Sequence, residues 1–562
     1  MIRRHAIAAL FGFLTLYVAT SGGHLYSPDE EIMFRMTESL ARRGALSVEP
    51  MLDPQGRSFA TRRGVDGKEY AQYGIGNSLF AVPLYWLGDF AARHVSPEKA
   101  EATLGFRTVM YVPETERQAG PALVRRFAVS FFGSIVGAAT CALLWIFAYR
   151  AHAYFFCQAA DEKSMSSAKG PANGDLPPPA VSPCDQINAA HQVPHPPSPS
   201  SFAVSNPRST TVAWLTTLAY GAGTMALPHA RTFFSEPLAT FFTLASFFAV
   251  FGGKRLSIRR TFVAGVAFAL ALLTRLDSAV VAPALGLYLV LRFLETESAG
   301  DLYAHQLDVQ ALLRYVRTRR FLCVLVAFCV GPLIFAAVHI WLNWLHFGNP
   351  FTSAYADQPE GIRFRTPLLA GLYGYFMSIG KSVFLFSPAI VFGLAGWRTF
   401  GRRIPSLAFC FALAVALLLV FHSRWQNWAG GWCWGPRHIF MAHAFVMLPA
   451  VGFFANWNRV RRLIFVMLMP IAFGVQLYGA SQNFIDFYIL YYRTPETQPN
   501  AYVLYSNEDL KPIRAIAPIN DSIYVPQNSQ WYRYAEMWQL GYTDNLWLRL
   551  WDRAREAEPP VR

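Results

Sequence analysis

Eleven apolar stretches, near 5–22, 126–149, 211–229, 236–253, 260–274, 277–294, 321–345, 383–397, 404–422, 438–456 and 463–480, decide what this chain can fold into. A helix that crosses a bilayer needs roughly 20 mostly apolar residues. Inside the hydrocarbon each backbone N–H and C=O must be satisfied within the protein, which leaves helices or closed barrels, and runs of this length fit helices. Composition agrees: 53% of the 562 residues are AVILMFWYC and 15% are charged, against about 45–50% and 25% in an average soluble chain. An intrinsically disordered chain, which needs low hydrophobicity and dense charge, is excluded. The expected fold class is an all-α polytopic membrane protein of about 11 transmembrane helices. Arg3 and Arg4 precede the first stretch, as in a signal peptide. No clear small-x-small cleavage site follows, so it is read as an uncleaved anchor.

Lys/Arg bias in the short joints orients such a bundle. With the N-terminus inside, Lys254-Arg255 with Arg259-Arg260, Arg314 to Arg320, Arg398 with Arg402-Arg403, and Arg459 with Arg461-Arg462 all fall on the inner side. The opposite joints, around His229 to Arg231, Arg275 to Asp277 and His422 to Arg437, are poorer in basic charge. Eleven spans then put the C-terminus outside. Membrane orientation and anionic headgroups account for the net charge of +14, and no nucleic-acid partner is expected. The seven cysteines form no CxxC pair and no zinc spacing. Cys433 alone would face the oxidising side, so no disulfide is expected.

Three segments lie outside the spans: an outer loop over 23–125, an inner insertion over 150–210 and an outer tail over 481–562. The insertion carries Pro177-Pro178-Pro179 and the Pro/Ser run 194–201, a composition that buries no core and reads as disordered. The tail sets Tyr and Trp among polar residues (Tyr502, Tyr505, Tyr524, Trp531, Tyr532, Trp538) and is read as a small cap on the membrane domain, 1–480.

Directly after the first span comes His24-Leu-Tyr-Ser-Pro-Asp29-Glu30-Glu31. Carboxylates at a membrane surface are costly if buried and unpaired. Ile32, Met33, Met36, Ser39 and Leu40 follow at helical spacing, with Glu31, Arg35, Glu38 and Arg42 on the other side, which predicts a helix lying along the membrane surface. Pro28 and the acidic first turn fit its start, so Asp29 and Glu30 read equally as dipole-complementing helix-start residues or as site carboxylates. Gly67-Lys68-Glu-Tyr70-Ala-Gln-Tyr73-Gly74 leads into a short apolar run over 77–88 broken by Pro83. That run is read as a second interfacial helix, because counting it as a span would put all the later basic clusters outside.

These motifs, in their order, resemble the polytopic glycosyltransferases that use polyprenyl-phosphate sugars, the GT-C superfold. The bacterial branch of protein O-mannosyltransferases and lipid A aminoarabinose transferase is the nearest resemblance. It is carried by Pro28-Asp29-Glu30, Gly67 to Gly76, Arg231-Thr-Phe-Phe-Ser-Glu236-Pro237, Thr274-Arg275-Leu-Asp277, Phe347-Gly-Asn-Pro350, Gly380-Lys381 to Pro388 and Trp428 to Arg437. Glu236 departs from the pattern, since relatives of the aminoarabinose transferase carry Asp there. The resemblance implies transfer of a sugar from a polyprenyl-phosphate donor to a hydroxyl acceptor (lipid, polysaccharide or protein) on the periplasmic face of a bacterial inner membrane. It further implies an inverting displacement without a metal, though a divalent cation shared by Asp29 and Glu236 stays open.

Such chemistry needs a base for the acceptor hydroxyl and cations for the departing phosphate. The resemblance places Asp29 as base, with Glu30 and Glu236 as the other acidic candidates. Lys68, Arg275, Lys381 and Arg437 are the cations on the outer side, although Arg437 also fits headgroup snorkelling and Arg275 also fits pairing with Asp277. Tyr70, Tyr73, His229, Trp428 and Trp432 are candidates for the substrate. Trp425, Trp428, Trp432 and Trp434 equally suit an aromatic belt. A flippase or transporter of lipid-linked glycans would carry ionisable residues at mid-membrane, and the stretches hold almost none. A glycan polymerase or ligase of other ancestry would not need the early acidic motif.

Overall fold

The computed structural model describes residues 1–52, 58–104, 120–167, 207–251, 255–297, 315–354, 364–492 and 521–557. Among these the protein is a helical bundle with one small sheet. Seven helices are long and apolar enough to cross a membrane: Ile2–Ala19, Gly120–Phe155, Leu276–Glu297, Arg319–Phe347, Pro405–Arg424, Arg437–Ala455 and Arg459–Ala480. The other four expected spans are also helices, but shorter: Pro207–Gly223 (17 residues), Glu236–Val250 (15), Ile258–Thr274 (17) and Ile390–Arg403 (14). Their apolar runs include turn residues that the folded chain spends on connections. His229, for example, belongs to a separate short turn, Ala226–His229, rather than to the helix before it.

The helices differ in what they face. Arg437–Ala455 is buried along 94% of its apolar window, whereas Arg319–Phe347 is buried along only 22%. The latter exposes Leu322, Val326, Leu333, Ile334, Trp341 and Trp344, as an outer helix against lipid does. Glycines allow the central helices to touch backbone to backbone. A Cβ on Gly265 would lie 2.0 Å from the carbonyl oxygen of Phe328, and one on Gly393 2.1 Å from that of Val446. Small residues permit such approach where no hydrophobic force drives helices together.

The first outer segment builds the roof. Helix α1 (Ile2–Ala19) is followed by α2 (Pro28–Arg43). Ser27 caps α2 by accepting from the Glu30 N–H, Pro28 supplies its first turn, and Gly44 closes it at φ +62°. Strands β1 (Ser47–Val48), β2 (Thr61–Arg63) and β3 (Glu69–Ala71) form an antiparallel sheet in the order β1-β3-β2. Helix α3 (Gly76–Ala92) packs on α2 and exposes Leu79, Phe80, Trp86, Leu87 and Phe90. Its exposed face is apolar.

One expectation about α2 is corrected. Its charged side is split: Glu38 and Arg42 stay partly exposed, whereas Glu31 and Arg35 are buried along with Ile32, Met33 and Met36. Glu31 takes Arg126 at 2.7 Å and Arg35 at 3.1 Å. Helical periodicity identified the faces correctly, but the Arg126 guanidinium arrives from another helix and turns part of a polar face into an interior one.

Much of the inner insertion (168–206), residues 105–119 of the outer loop, Lys254, Arg314, Tyr502 and Tyr505 lie outside the described residues. The flanks of the insertion are helical, since Phe132–Ser167 runs well past 150 and Pro207–Gly223 begins before 210. The described parts of the tail, 481–492 and 521–557, pack on the same end of the bundle as the first loop. Trp531 meets Phe386 and Trp434 there, and Tyr534 stacks on Trp434.

Candidate active site

Four residues separated in sequence meet at one end of the bundle because each sits where a helix starts or stops. Asp29 lies in the first turn of α2, and Glu236 opens Glu236–Val250. Arg275 follows Ile258–Thr274, and Arg437 opens Arg437–Ala455. The far ends of Glu236–Val250, Ile258–Thr274 and Arg437–Ala455 lie by the basic clusters. Arg260 bonds the carbonyl of Phe251, and Arg461 bonds that of Phe453 at 2.7 Å. The carboxylates and their partners therefore gather at the end of the bundle opposite Arg259-Arg260, Arg402-Arg403 and Arg459 to Arg462.

The cluster is continuous. Arg437 Nη2 donates to Asp29 Oδ2 at 2.8 Å, and its Nε lies 3.9 Å from Glu236 Oε1. Glu236 Oε1 accepts from Arg275 Nη1 at 2.6 Å, and Arg275 also holds Asp277 at 2.6 Å. His422 Nε2 stands 3.7 Å from Asp277. The Arg437 guanidinium lies over the Phe234 ring at 4.5 Å. Three carboxylates against two guanidinium groups leave a formal excess of one negative charge. The Asp29 side chain keeps 19% of its surface exposed, Arg275 18% and Arg437 13%, whereas Glu236 keeps 6%. Asp29 and the two arginines can be reached from outside; Glu236 stands behind them.

Glu30 points the other way. It is fully buried, its Oε2 accepts from the Tyr26 N–H at 3.0 Å, and its Oε1 has no hydrogen-bond partner among the described residues. Burial pushes its carboxyl up to about 8, with the neighbouring Asp29 charge adding to the rise and the backbone N–H groups of Tyr26 and Phe233 opposing it. Glu31 behaves oppositely: burial works to raise it, but Arg126 and Arg35 outweigh burial and hold it below the usual carboxylate range. Adjacent carboxyls thus differ in charge at neutral pH.

Lys381 is turned inward. Its ammonium donates to the carbonyls of Gly431 (3.3 Å), Cys433 (3.1 Å) and Gly435 (3.1 Å). Those carbonyls converge because Gly430, Gly431 and Gly435 adopt φ values of +81°, +66° and +67°, open to glycine at little cost. Burial lowers the Lys381 ammonium from its ordinary value. The ammonium is thus held within the loop that leads to Arg437.

Lys68 does not join the cluster. Its side chain is 65% exposed and lies 3.4 Å from Asp66. Tyr70 donates to Asp66 at 2.9 Å and stacks on His346 at 3.8 Å, so the Gly67 to Tyr73 segment docks on the end of Arg319–Phe347. Tyr73 packs beside Ile32, Met51 and Ala60 under α2. The His229 Nε2 lies 3.1 Å from the Trp434 carbonyl. Trp428 is buried against Gly374, where a Cβ would lie 2.0 Å from the indole, and Trp432 stacks on Tyr488 at 5.2 Å.

The sequence reading missed three participants. The sequence offers Asp277 as a partner for Arg275 and as part of the Thr274 to Asp277 turn, and nothing in it marks His422 as a neighbour. The third is Asp544 in the tail, which takes His24 at 2.9 Å and Arg231 at 2.6 Å. No local pattern signals a contact across 313 residues. Among the described residues there is no group of three His, Cys, Asp or Glu side chains that could hold a metal ion.

Fold and site together describe a membrane-embedded helical bundle with a carboxylate–guanidinium cluster at one end. No protein-family model and no curated protein matches the sequence. Among solved structures the protein is similar to the crystal structure of ArnT from Cupriavidus metallidurans bound to undecaprenyl phosphate, at 13% identity and a TM-score of 0.40. The match covers 83% of this chain and spans 62% of the length of that one.

Proposed function

We propose that this protein is an integral membrane glycosyltransferase of the GT-C type. It would move a sugar from a polyprenyl-phosphate donor to a hydroxyl acceptor at the outer face of a bacterial cytoplasmic membrane. The observation that carries this reading is the Asp29–Arg437–Glu236–Arg275 cluster, at the bundle end opposite the basic clusters. A carboxylate within reach of the outside can take the proton of an attacking hydroxyl. Guanidinium groups match phosphate oxygens in charge and fork geometry and favour a phosphate leaving group as its charge grows.

The pairing itself suggests an order of events. Arg437 is tied to Asp29 at 2.8 Å. A donor phosphate that took over the guanidinium would release the Asp29 carboxylate to face the acceptor. Glu236, behind both arginines, holds them in place when the phosphate departs. The apolar outer face of α3 supports approach by a lipid substrate along the roof.

Purified protein in lipid nanodiscs, offered a panel of polyprenyl-phosphate sugars and hydroxyl acceptors, should release polyprenyl phosphate. Asp29→Asn should abolish most of that release. A wild type that binds no polyprenyl phosphate and turns over none of the panel would sink the reading.

A further inference from the structure

Asp544 is a buried carboxylate outside the cluster just described, with three cationic partners. Its side chain is 4% exposed and receives His24 Nε2 at 2.9 Å, Arg231 Nη2 at 2.6 Å and Arg549 Nη2 at 2.9 Å. Burial would raise its carboxyl, but His24, Arg549 and Arg231 outweigh burial and keep it far below the usual range, so it is charged. The backbone around it is sewn to the end of α1. Leu546 N–H donates to Ser21 O at 2.9 Å, Asn545 Nδ2 to Ala19 O at 2.9 Å, and Trp547 Nε1 to Val18 O at 3.0 Å. The fit is close on the other side as well: a Cβ on Gly22 would lie 2.3 Å from the Tyr26 hydroxyl and 2.8 Å from Asp544 Oδ2.

Two loops leave this point for the cluster. Along the first, Arg231 donates to the Tyr26 hydroxyl at 2.7 Å, the Tyr26 N–H donates to Glu30 at 3.0 Å, and Ser27 caps the turn that holds Asp29. Along the second, Arg231 is followed by Phe233, whose carbonyl accepts from Asn77 at 2.7 Å, by Phe234 under the Arg437 guanidinium, and by Glu236. Arg231 also donates to the Asp544 carbonyl oxygen at 2.7 Å. One tail carboxylate thus holds both the loop that leads to Asp29 and the loop that leads to Glu236.

We propose that Asp544 is a positioning residue: by clasping His24 and Arg231 it fixes the 24–27 and 229–235 loops against each other and so sets the spacing of Asp29, Arg437 and Glu236. The catalytic part of this inference rests on the glycosyltransferase reading; the geometric part does not. If the tail needed only adhesion, apolar packing of similar shape would serve as well, because a buried ionic group is rarely a net source of stability. What a charged, fully partnered group adds is a single geometry. Misplacing reacting groups by about 1 Å can cost roughly 100-fold in rate.

The test uses full-length protein in nanodiscs with Asp544→Asn and Asp544→Glu. The first readout is hydrogen exchange without substrate: Asp544→Asn should speed exchange in 22–36 and 228–238 while the spanning helices keep wild-type protection. The second is kinetic: kcat should fall about 10- to 100-fold with donor KM within about threefold, and Asp544→Glu should recover part of kcat. Unchanged exchange in both loops overturns the clasp, and so does wild-type kcat in Asp544→Asn. A rise in KM with kcat intact also overturns it. If Asp544→Asn does not insert, Arg549→Gln removes one cationic partner at the more exposed edge. It should still speed exchange in 22–27, and wild-type exchange there overturns the proposal. Because exchange needs no substrate, a wild type inactive on every sugar donor would sink the functional reading and leave the first readout standing.

Discussion

Arg437 Nη2 and Asp29 Oδ2 lie 2.8 Å apart although 408 positions separate them in the chain. Each is presented by the first turn of a helix, Asp29 by α2 and Arg437 by the segment that opens Arg437–Ala455. A carboxylate at that place complements the helix dipole, which supports Asp29. An arginine at a helix start opposes the dipole, so Arg437 is held there by Asp29, Glu236 and the Phe234 ring instead. Three weakly related requirements are met by one side chain, and its removal should be felt widely.

Asp29→Asn keeps the shape of the side chain but cannot accept a proton at neutral pH. Turnover should fall about 100- to 10,000-fold, with binding of polyprenyl phosphate close to wild type. Single-turnover assays alongside direct lipid binding separate the two. Near-normal turnover would return Asp29 to the role of a helix-start residue.

Arg437→Ala and Lys68→Ala should differ sharply. Arg437 stands in the cluster, so its loss should weaken donor binding and cut turnover about 100- to 1,000-fold. Lys68 is 65% exposed beside Asp66, and its loss should change either quantity by less than about threefold, as expected for an exposed pair. Equal effects of the two substitutions would mean that the outer sheet closes onto the site during turnover.

Glu30 makes stability depend on pH with a definite sign. Its folded value, about 8, lies above the ordinary 4.5. The stability associated with its bound proton is fully present below 4.5, declines as pH rises beyond that value, and is lost once pH has passed through about 8. Glu30→Gln should flatten thermal stability between pH 5 and pH 8 in detergent or nanodiscs. A variant that declined with pH as steeply as the wild type would place the titrating group elsewhere.

The buried Glu31–Arg126 pair predicts a stability effect apart from chemistry. Arg126→Met leaves Glu31 with Arg35 alone, and breaking a buried pair in this way costs about 3–5 kcal/mol. Adding Glu31→Gln should recover much of the loss in a double-mutant cycle. Additive losses would mean that the two side chains do not depend on each other.

Reporter fusions test the orientation. Fusions after Arg260 and Arg403 should report the cytoplasm, and those after Gly348 and at the C-terminus the outside. A cytoplasmic C-terminus would reverse the side on which the cluster faces.

The sequence by itself determined the class of architecture, because hydrophobic length and the bias of basic residues are local properties that a bilayer reads directly. Together with the resemblance of its motifs it also offered Asp29, Glu236, Arg275 and Arg437 as candidates, each beside an apolar run. Only the tertiary structure decided their partnerships. Lys381 looked like the other cations, yet three carbonyls of a glycine-bent loop enclose it. Lys68 sits in a promising motif, yet the small sheet turns it to solvent. On the charged face of α2, Arg126 from another helix makes Glu31 an interior residue, which no local pattern announces. Asp544, in the tail, showed no sign of its tie to His24 and Arg231. The reason is physical: burial and pairing of a charge depend on which groups surround it in space, and long-range packing brings those groups from hundreds of residues away.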